Sequence, residues 1–359
     1  NLKDDVDMRN LQAAGYTRLI TDWLIGINFT SVATLKYGNG KLLNIGRVIL
    51  PTVKLVYDRD MEILNFVPKT YYEIEGNFKS KNGEYKGKYI KGKEIKFDDV
   101  EEVNKVINSI NSNEGKIIDK KVTTSKEYAP KLFSLTSLQG YITSKYSNFT
   151  SDKVLSVCQS LYEGSGKGGY ITYPRTDSIY LEESLASKVS QTLDKLKVGL
   201  EYENKIKFTK TKRVFDSSKV DSHSAIIRKI YPYKDIPEYE NTEIKTDVDS
   251  NIFLTKGKVL KSKGYLEVYK KEEKDDLLPS VDVNDIVEVL EIKPLTKQTT
   301  PPKPYTEDTL LKAMKNCGKN VPDDDTTVLS GYSIGTSATR ADVLKKISQV
   351  GYVGKKGKS

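Results

Sequence analysis

The chain has 359 residues, of which 58 are Lys or Arg and 49 are Asp or Glu, so its formal charge at pH 7 is +9. The length allows about two to three domains. No apolar stretch approaches the roughly 18 to 20 residues of a membrane span, which excludes a membrane protein. The chain begins at Asn1 and its first ten residues are charged, so we expect a fragment of a larger protein without a signal peptide.

Cysteine and histidine usage narrows the chemistry. Cys158 and Cys317 lie far apart and form no Cys-x-x-Cys pair, which argues against a structural zinc site or a disulfide framework and favours a cytoplasmic location. His223 is the single histidine, so sites that need two imidazoles are excluded. The positive charge permits a polyanionic partner, although a solvated Lys-rich surface explains it equally well.

Helical and strand patterns alternate along the chain. Apolar spacing predicts a helix over Leu11–Leu24. Within Leu42–Ile63 it predicts a second helix that follows a glycine-containing entry and has Pro51 in its first turn. Beyond Val67-Pro68, alternation of polar with β-branched or aromatic residues predicts strands within residues 70–78, 85–97, 251–269 and 285–295. Between these two blocks, apolar spacing predicts helices over residues 100–110, 151–162 and 182–196. After them, Thr306 is predicted to cap a further helix.

This order predicts a mixed α+β multidomain fold in which one domain is inserted into another. We predict a helical domain of residues 1–66 and 300–359 and a β-rich domain of residues 67–128 and 226–299. Residues 129–225 are then a helical domain, and this domain carries the candidate catalytic residues.

The most informative segment is residues 171–178, with the sequence ITYPRTDS. If its backbone is extended, Pro174 and Thr176 share one face, and the other face carries Tyr173, Arg175 and Asp177. Tyrosine hydroxyls have a pKa of about 10 and are poor nucleophiles at neutral pH, whereas a neighbouring guanidinium favours phenolate and holds a phosphodiester in line. The pattern is typical of phosphoryl transfer to tyrosine. The alternative is that Tyr173, one of 23 tyrosines, packs in a core.

Two further segments carry candidate phosphate contacts. His223 precedes an apolar run and is either a phosphate contact or proton carrier, or a structural histidine. Residues 335–340, with the sequence GTSATR, precede apolar residues at helical spacing, so backbone N–H groups, a helix dipole and Arg340 would form a phosphate seat. Ordinary helix capping by Thr336 or Ser337 is an equal alternative.

Three charged residues near the start are further candidates. Arg18 and Asp22 are spaced i,i+4 on the first predicted helix, where a simple surface ion pair is the competing explanation. Arg47 follows Gly46 at the beginning of the second helix, where an ordinary N-terminal turn is the alternative.

Taken together, seven segments in chain order resemble those of type IA DNA topoisomerases, and more closely the topoisomerase III branch. They cover nearly the whole chain, and their order makes the resemblance specific. The segments are RLITDWLIG (18–26), IGRV (45–48) with RD (59–60) and FVP (66–68), LTSLQ (135–139), ITYPRTDS (171–178), HSAI (223–226), PPKPYTE (301–307) and GTSATR (335–340).

The resemblance implies a toroidal topoisomerase core that cleaves single-stranded DNA transiently, passes a strand and religates the break. Tyr173 would be the nucleophile and form a 5′-phosphotyrosine link, Arg175 would stabilise the transition-state charge, and His223 would contact the scissile phosphate. The β-rich domain would be the hinge that opens the ring. The residues implied to contact DNA are Arg18, Asp22, Arg47, Asp177, Ser178, Thr339 and Arg340.

The chain departs from the family pattern in two respects. Ile49 stands where the family usually has glutamine after Gly-Arg-Val. The Toprim domain, with its DxDxE metal motif, should precede this region and is missing from the sequence; we interpret the DxD-like matches at Asp5-Val-Asp7 and Asp282-Val-Asn284 as surface acids. We therefore expect no metal site in these residues, Mg²⁺ binding by the full-length enzyme through its Toprim domain, and no supercoil relaxation by this chain alone.

Two other functional classes are alternatives. One is a non-catalytic single-stranded-DNA-binding module in which Tyr173 stacks on a base. The other is a tyrosine recombinase, which we disfavour because its nucleophile comes late in the chain, and the last tyrosine here, Tyr352, lies in an apolar Gly-Tyr-Val helix end.

Overall fold

The structure is a computed structural model that describes residues 4–164, 169–200, 203–205, 208–220, 222–227, 238–262, 277–317 and 333–354. The helices within these residues are α1 (Asp5–Tyr37), α2 (Ile49–Leu64), α3 (Val100–Asn108), α4 (Leu135–Lys145), α5 (Ser151–Glu163), α6 (Ala186–Leu196), α7 (Glu307–Asn316) and α8 (Arg340–Gln349). The strands are β1 (Thr70–Ser80), β2 (Gly83–Tyr89), β3 (Glu114–Lys126), β4 (Glu238–Val248), β5 (Asn251–Ser262) and β6 (Ile286–Gln298).

The first two predicted helices are confirmed, with different limits. α1 contains the predicted helix and continues beyond both of its ends. α2 begins at Ile49, after the glycine-containing entry and with Pro51 in its first turn, as predicted, whereas residues 42–46 before it form no helix. In that segment the Leu43 N–H donates to Thr34 Oγ1 at 3.0 Å, and the Ile45 N–H donates to Thr30 Oγ1 at 2.9 Å. These bonds satisfy the backbone without a helix.

The strands form a closed antiparallel barrel in the order β1-β2-β5-β4-β3-β6. Alternate side chains of each strand point inward, and α3 packs against the barrel through Val103, which is fully buried. The apolar core includes Ile74, Phe78, Ile117, Ile244, Phe253 and Val287. The barrel is therefore a filled structural unit rather than a channel.

The strand predictions are confirmed for β1, β2, β5 and β6, whereas β3 and β4 have no counterpart among them. β3 and β4 carry few buried apolar residues, and charged residues pair across them, as Lys245 does with Asp119 at 2.7 Å. The predicted strand 85–97 ends at Tyr89 because Lys91 and Glu94 close a turn. Residues 263–269 of the predicted strand 251–269 lie outside the described residues.

The remaining predicted helices are confirmed as α3, α5 and α6, the last preceded by the 3₁₀ turn Glu183–Leu185. Thr306 caps α7 as predicted: its Oγ1 accepts from the Thr309 N–H at 3.2 Å, and Thr309 Oγ1 accepts from the Thr306 N–H at 2.7 Å. α4 was not predicted, although Ser134 caps it in the same way. No helix in the described part of the chain combines the length and apolarity of a membrane span.

α4 and α5 pack against the C-terminal helices α7 and α8. The contact is so close that a Cβ on Gly140 of α4 would overlap Asp308 Oδ1 of α7. At the start of α5, Ser151 N and Oγ donate to Glu307 Oε2 at 2.7 and 2.6 Å. The apolar part of this contact comprises Leu135, Leu155, Ile226 and Ala341. The contact of α4 and α5 with α7 and α8 is therefore partly polar and partly apolar. The limits of the three domains stay a prediction.

Candidate active site

Residues 171–178, the tyrosine segment, belong to no strand of the barrel, and their backbone bends at Ile171, Thr172 and Pro174, where the Thr176 N–H donates to the Pro174 carbonyl at 2.9 Å. A continuous extended backbone is therefore not found, but burial alternates along the segment as the spacing predicts. Pro174 and Thr176 are buried. The accessible face carries Tyr173 and Arg175, which are half-buried, and Asp177, which is exposed. A phenol, a guanidinium and a carboxylate therefore lie on one face.

Two threonines fasten the tyrosine segment to the segment that carries His223. Thr172 Oγ1 donates to the Ala225 carbonyl at 3.0 Å and accepts from the Ile227 N–H at 3.0 Å. Thr176 Oγ1 donates to the His223 carbonyl at 2.8 Å. Because Thr176 is buried, this bond is shielded from water, and it fixes the backbone of His223 beside the tyrosine segment.

The ring of Tyr173 lies between two other aromatic rings. Its centroid is 4.5 Å from that of exposed His223, at an interplanar angle of 51°. Tyr162, at the end of α5, makes an edge-to-face contact at 5.2 Å and 75°. The structure therefore brings together Tyr173 and His223, which were both predicted, and adds Tyr162, which was not. The available signal was an aromatic residue at the end of an amphipathic helix, directly before a glycine-containing turn.

Arg175 and Arg340 both contact other parts of the chain. Arg175 Nη1 donates to the Ala338 carbonyl at 3.1 Å. No partner of its Nε or Nη2 lies among the residues that the structure describes, so these donors still face the accessible side. Arg340 is only 2% exposed, and its Nη1 donates to Asp177 Oδ1 at 3.2 Å. The two arginines, which were predicted from separate motifs, therefore both join the tyrosine segment to the start of α8.

Ser178 and Thr339 take part in local turns. Ser178 Oγ donates to the Tyr180 carbonyl at 3.2 Å. Thr339 is the N-cap residue of α8, and its Oγ1 accepts from the Thr336 N–H at 3.0 Å. The helix therefore begins at Arg340, and neither Thr336 nor Ser337 is its N-cap residue. Any contact of Ser178 or Thr339 with DNA stays a prediction.

Arg18, Asp22 and Arg47 form a charged cluster between α1 and the start of α2. Arg47 binds Asp22 with two parallel bonds, Nε to Oδ1 at 2.6 Å and Nη2 to Oδ2 at 3.0 Å. The predicted surface pair is longer, with Arg18 Nε 3.9 Å from Asp22 Oδ2. Val48, the residue after Arg47, lies close to the residues before α8: its Cγ1 is 3.1 Å from the place that a Cβ on Gly335 would occupy.

The acids singled out as DxD-like do not fit a magnesium site. Asp5 is 3.8 Å from Arg9, and Asp282 is 3.2 Å from Lys120. Within the described residues, no three His, Cys, Asp or Glu side chains cluster in a way that would hold a metal ion. Two carboxylates already paired with cations, far apart in the chain, lack the oxygen ligands that Mg²⁺ requires.

Tyr352 would be the nucleophile if the protein were a tyrosine recombinase, and its environment differs from that of Tyr173. Burial raises the pKa of Tyr352, and its hydroxyl donates to the Asn44 carbonyl at 3.2 Å. A raised pKa disfavours the phenolate form, so this tyrosine is poorly suited to nucleophilic attack.

A family profile and two similar proteins agree on one family of proteins. The profile of a family described as DNA topoisomerase matches residues 6–238 and 228–359. DNA topoisomerase 3 of Bacillus licheniformis is 28% identical, with all of this chain and 54% of that protein aligned. DNA topoisomerase 3 of Bacillus anthracis is 30% identical with the same coverage. The chain thus spans about half the length of these relatives.

A solved structure shares the fold. Full-length topoisomerase I from Thermotoga maritima superposes with a TM-score of 0.68 at 24% identity, covering 96% of this chain and 57% of that one. The mixed helical and strand architecture described above is therefore the fold of that class of protein.

Proposed function

Since the chain belongs to the DNA topoisomerase family, as a type IA, topoisomerase III-like member, we propose that Tyr173 is its catalytic nucleophile. The phenolate oxygen attacks a phosphodiester of single-stranded DNA, and the bond from phosphorus to the 3′ oxygen breaks. The 3′ oxygen leaves as a hydroxyl after taking up a proton, and the 5′ phosphate stays on Tyr173. The reverse step reseals the strand, and passage of another strand between the two steps changes the linking number.

The observation that carries this proposal is the position of Tyr173. Its ring lies between His223 and Tyr162, which limits its orientation, and its neighbour Arg175 is on the same accessible face. One nitrogen of Arg175 is held by the Ala338 carbonyl, so the guanidinium is restrained beside the phenol. A restrained cation stabilises negative charge that develops on the phosphoryl oxygens without reorganising during the reaction.

The remaining residues are proposed to position DNA. His223 is exposed beside the ring and is proposed to contact the scissile phosphate. Arg18, Asp22 and Arg47 form a partly exposed charged cluster, which suits backbone contacts along a single strand. Ser178, Thr339, Asp177 and Arg340 are proposed to lie near the same strand, the last two bound to each other when no DNA is present.

Magnesium belongs to the full-length enzyme in this proposal. The DxD-like acids described above do not supply a site, so Mg²⁺ is proposed to bind a Toprim domain outside these residues. None of the steps above passes through a metal ion. A cytoplasmic location likewise stays a prediction.

A trapping experiment separates this function from a simple binding module. Labelled single-stranded oligonucleotide is mixed with the protein, and denaturant stops the reaction. We expect a covalent adduct with the wild type, none with Tyr173→Phe, and an unchanged yield with Tyr146→Phe, which alters an exposed tyrosine away from the site. Reversible binding by the wild type without any adduct would instead support a non-catalytic single-stranded-DNA-binding module.

A further inference from the structure

Arg340 is held from one side by neutral groups that precede it in the chain. Its Nε donates to the Ile334 carbonyl at 3.1 Å, and its Nη2 donates to Ser333 Oγ at 3.1 Å and to the Gly335 carbonyl at 3.0 Å. These bonds fix the orientation of a side chain that is 2% exposed. They leave its positive charge without a negative partner, which is costly in a buried site.

The negative partner comes from the tyrosine segment. Arg340 Nη1 donates to Asp177 Oδ1 at 3.2 Å, and Thr136 Oγ1 lies 3.4 Å from the same nitrogen. Lys315, at the end of α7, approaches Asp177 as well: its Nζ is 3.5 Å from Oδ1 and donates to the backbone carbonyl at 3.3 Å. Asp177 therefore meets two cations, both from the C-terminal helical part of the chain.

Tyr173 is tied to α8 through its neighbours. Arg175, two residues away, donates to the Ala338 carbonyl just before α8. Asp177, four residues away, binds Arg340 at the first position of α8. Both ties lie within four residues of Tyr173, so they restrain the distance between this part of the tyrosine segment and α8.

We propose that Asp177 and Arg340 are positioning residues that form a clasp between the tyrosine segment and α8. The clasp holds Tyr173 in register with the helical part of the chain during cleavage, and it opens when the tyrosine-bearing part moves away. The purpose of the clasp rests on the proposed function, because strand passage requires the tyrosine segment and α8 to separate. The existence of the ion pair does not rest on that function. Asp177 is 43% exposed, so water reaches the carboxylate, while separation leaves the buried guanidinium without its counter-charge.

A distance measurement without DNA tests the clasp. Spin labels are attached to Ser187→Cys on α6 and Lys346→Cys on α8, both exposed positions, in a Cys317→Ser background in which Cys158 stays buried. Pulsed electron paramagnetic resonance is expected to give one narrow distance distribution for this parent. Asp177→Asn is expected to raise a longer-distance population about tenfold or more, because it strands a buried charge. Asp177→Glu, which keeps the charge, should restore most of the narrow distribution.

A matched control is the ion pair between α5 and α8. Asp152 pairs with Lys345 at 3.0 Å, but Lys345 is 49% exposed, whereas Arg340 is 2% exposed, so Asp152→Asn leaves no buried charge and should leave the distribution unchanged. Lys315→Gln removes only the second cation of Asp177, and it should raise the longer population less than Asp177→Asn; it also serves if Asp177→Asn does not fold.

Three outcomes would overturn the clasp. The first is the absence of a longer-distance population in both Asp177→Asn and Lys315→Gln. The others are an equally large longer-distance population in Asp152→Asn, and a failure of Asp177→Glu to restore the narrow distribution. Since no DNA is present, these outcomes are independent of whether the protein forms a covalent adduct. A failed trapping experiment with a positive distance result would remove the proposed function and leave the clasp in place.

Discussion

The alternation of accessible and buried side chains from Tyr173 to Asp177 could be predicted at the residue scale from a period of two, whereas the bend of the backbone at Pro174 could not. The partners of Arg340 could not, because Asp177 and Thr136 lie 163 and 204 residues away. Neither could the aromatic contact from Tyr162, because it depends on where the end of α5 lies relative to the tyrosine segment. Local periodicity thus identifies which side chains share a face, whereas tertiary contacts decide what that face meets.

Arg47 provides a test of the charged cluster at the same scale. Arg47→Gln removes a cation that binds Asp22, and the next residue is Trp23, the only tryptophan, whose side chain is exposed. We expect single-stranded DNA to quench Trp23 fluorescence, and Arg47→Gln to weaken binding and to reduce the slope of log affinity against log salt by about 0.7, the value for one phosphate contact.

The control for this measurement is Arg59→Gln. Arg59 lies over the Tyr305 ring at 4.6 Å and donates to the Lys303 carbonyl, so these contacts bind it to residues outside the charged cluster of Arg47. An unchanged salt slope in Arg47→Gln, or an equal reduction in both variants, would contradict a phosphate contact by Arg47.

The helices and strands that could be predicted are those whose apolar pattern is strong, such as α5, α6 and β5. β3 and β4 escaped prediction because much of their length is charged or polar, and both pair with each other and with neighbouring strands. The segment before α2 is not helical, and threonines of α1 bind its backbone. At the scale of the element, tertiary hydrogen bonds override local propensity.

Gly140 tests the contact between α4 and α7. In an isolated helix Gly→Ala is stabilising by about 1 kcal/mol. Here the added Cβ would overlap Asp308 Oδ1, so we expect Gly140→Ala to lower the free energy of unfolding by about 1 to 3 kcal/mol. Chemical denaturation checks this value. In an Asp308→Ala background the same substitution should cost much less, and an unchanged cost would show that the helices are not this close.

Glu73 tests the barrel through its pH dependence. Its side chain is 6% exposed and accepts hydrogen bonds from Lys88 and Lys297 at 2.7 and 2.8 Å. Burial raises the pKa of this carboxyl, but Lys297 and Lys88 outweigh it and lower the pKa below its ordinary value of 4.5. A lowered pKa in the folded state means stability that is present above pH 4.5 and lost as the pH falls through the folded value.

We therefore expect Glu73→Gln to reduce the free energy of unfolding near neutral pH and to have a smaller effect as the pH is lowered below about 4.5. Urea unfolding between pH 3 and 7 gives this comparison. The control is Glu288→Gln, an exposed carboxyl 3.7 Å from Lys79, which should change little at any pH. A Glu73→Gln effect that is constant over this range would contradict the ionic contribution.

At the scale of the whole molecule, the order helical, strand, helical, strand, helical is enough to predict a nested arrangement. The closure of the barrel was beyond prediction, because β1 pairs with β6 across more than half of the chain. α1 also differs from expectation: it has no buried residue, although its large apolar side chains include Leu19, Trp23 and Phe29. Its apolar pattern predicts a helix correctly but says nothing about what the helix contacts in this chain.

Relaxation tests the molecule as a unit. We expect these 359 residues alone to leave negatively supercoiled plasmid unchanged in the presence of Mg²⁺, since the acids described above form no metal site and offer no carboxylate to protonate the leaving 3′ oxygen. Gel electrophoresis of plasmid topoisomers measures this directly. Full Mg²⁺-dependent relaxation, absent in Tyr173→Phe, would show that the chain contains all the groups that the reaction needs.

The central claim is that Tyr173 forms a covalent bond to the 5′ end of a cleaved single strand. The direct measurement uses oligonucleotides labelled at one end, followed by protease digestion and mass spectrometry of the trapped adduct. We expect the label at the 3′ end to stay with the protein, the label at the 5′ end to be released on a fragment with a 3′-hydroxyl, and the nucleotide to map to Tyr173. Retention of the 5′ label, or an adduct on another residue, would contradict it.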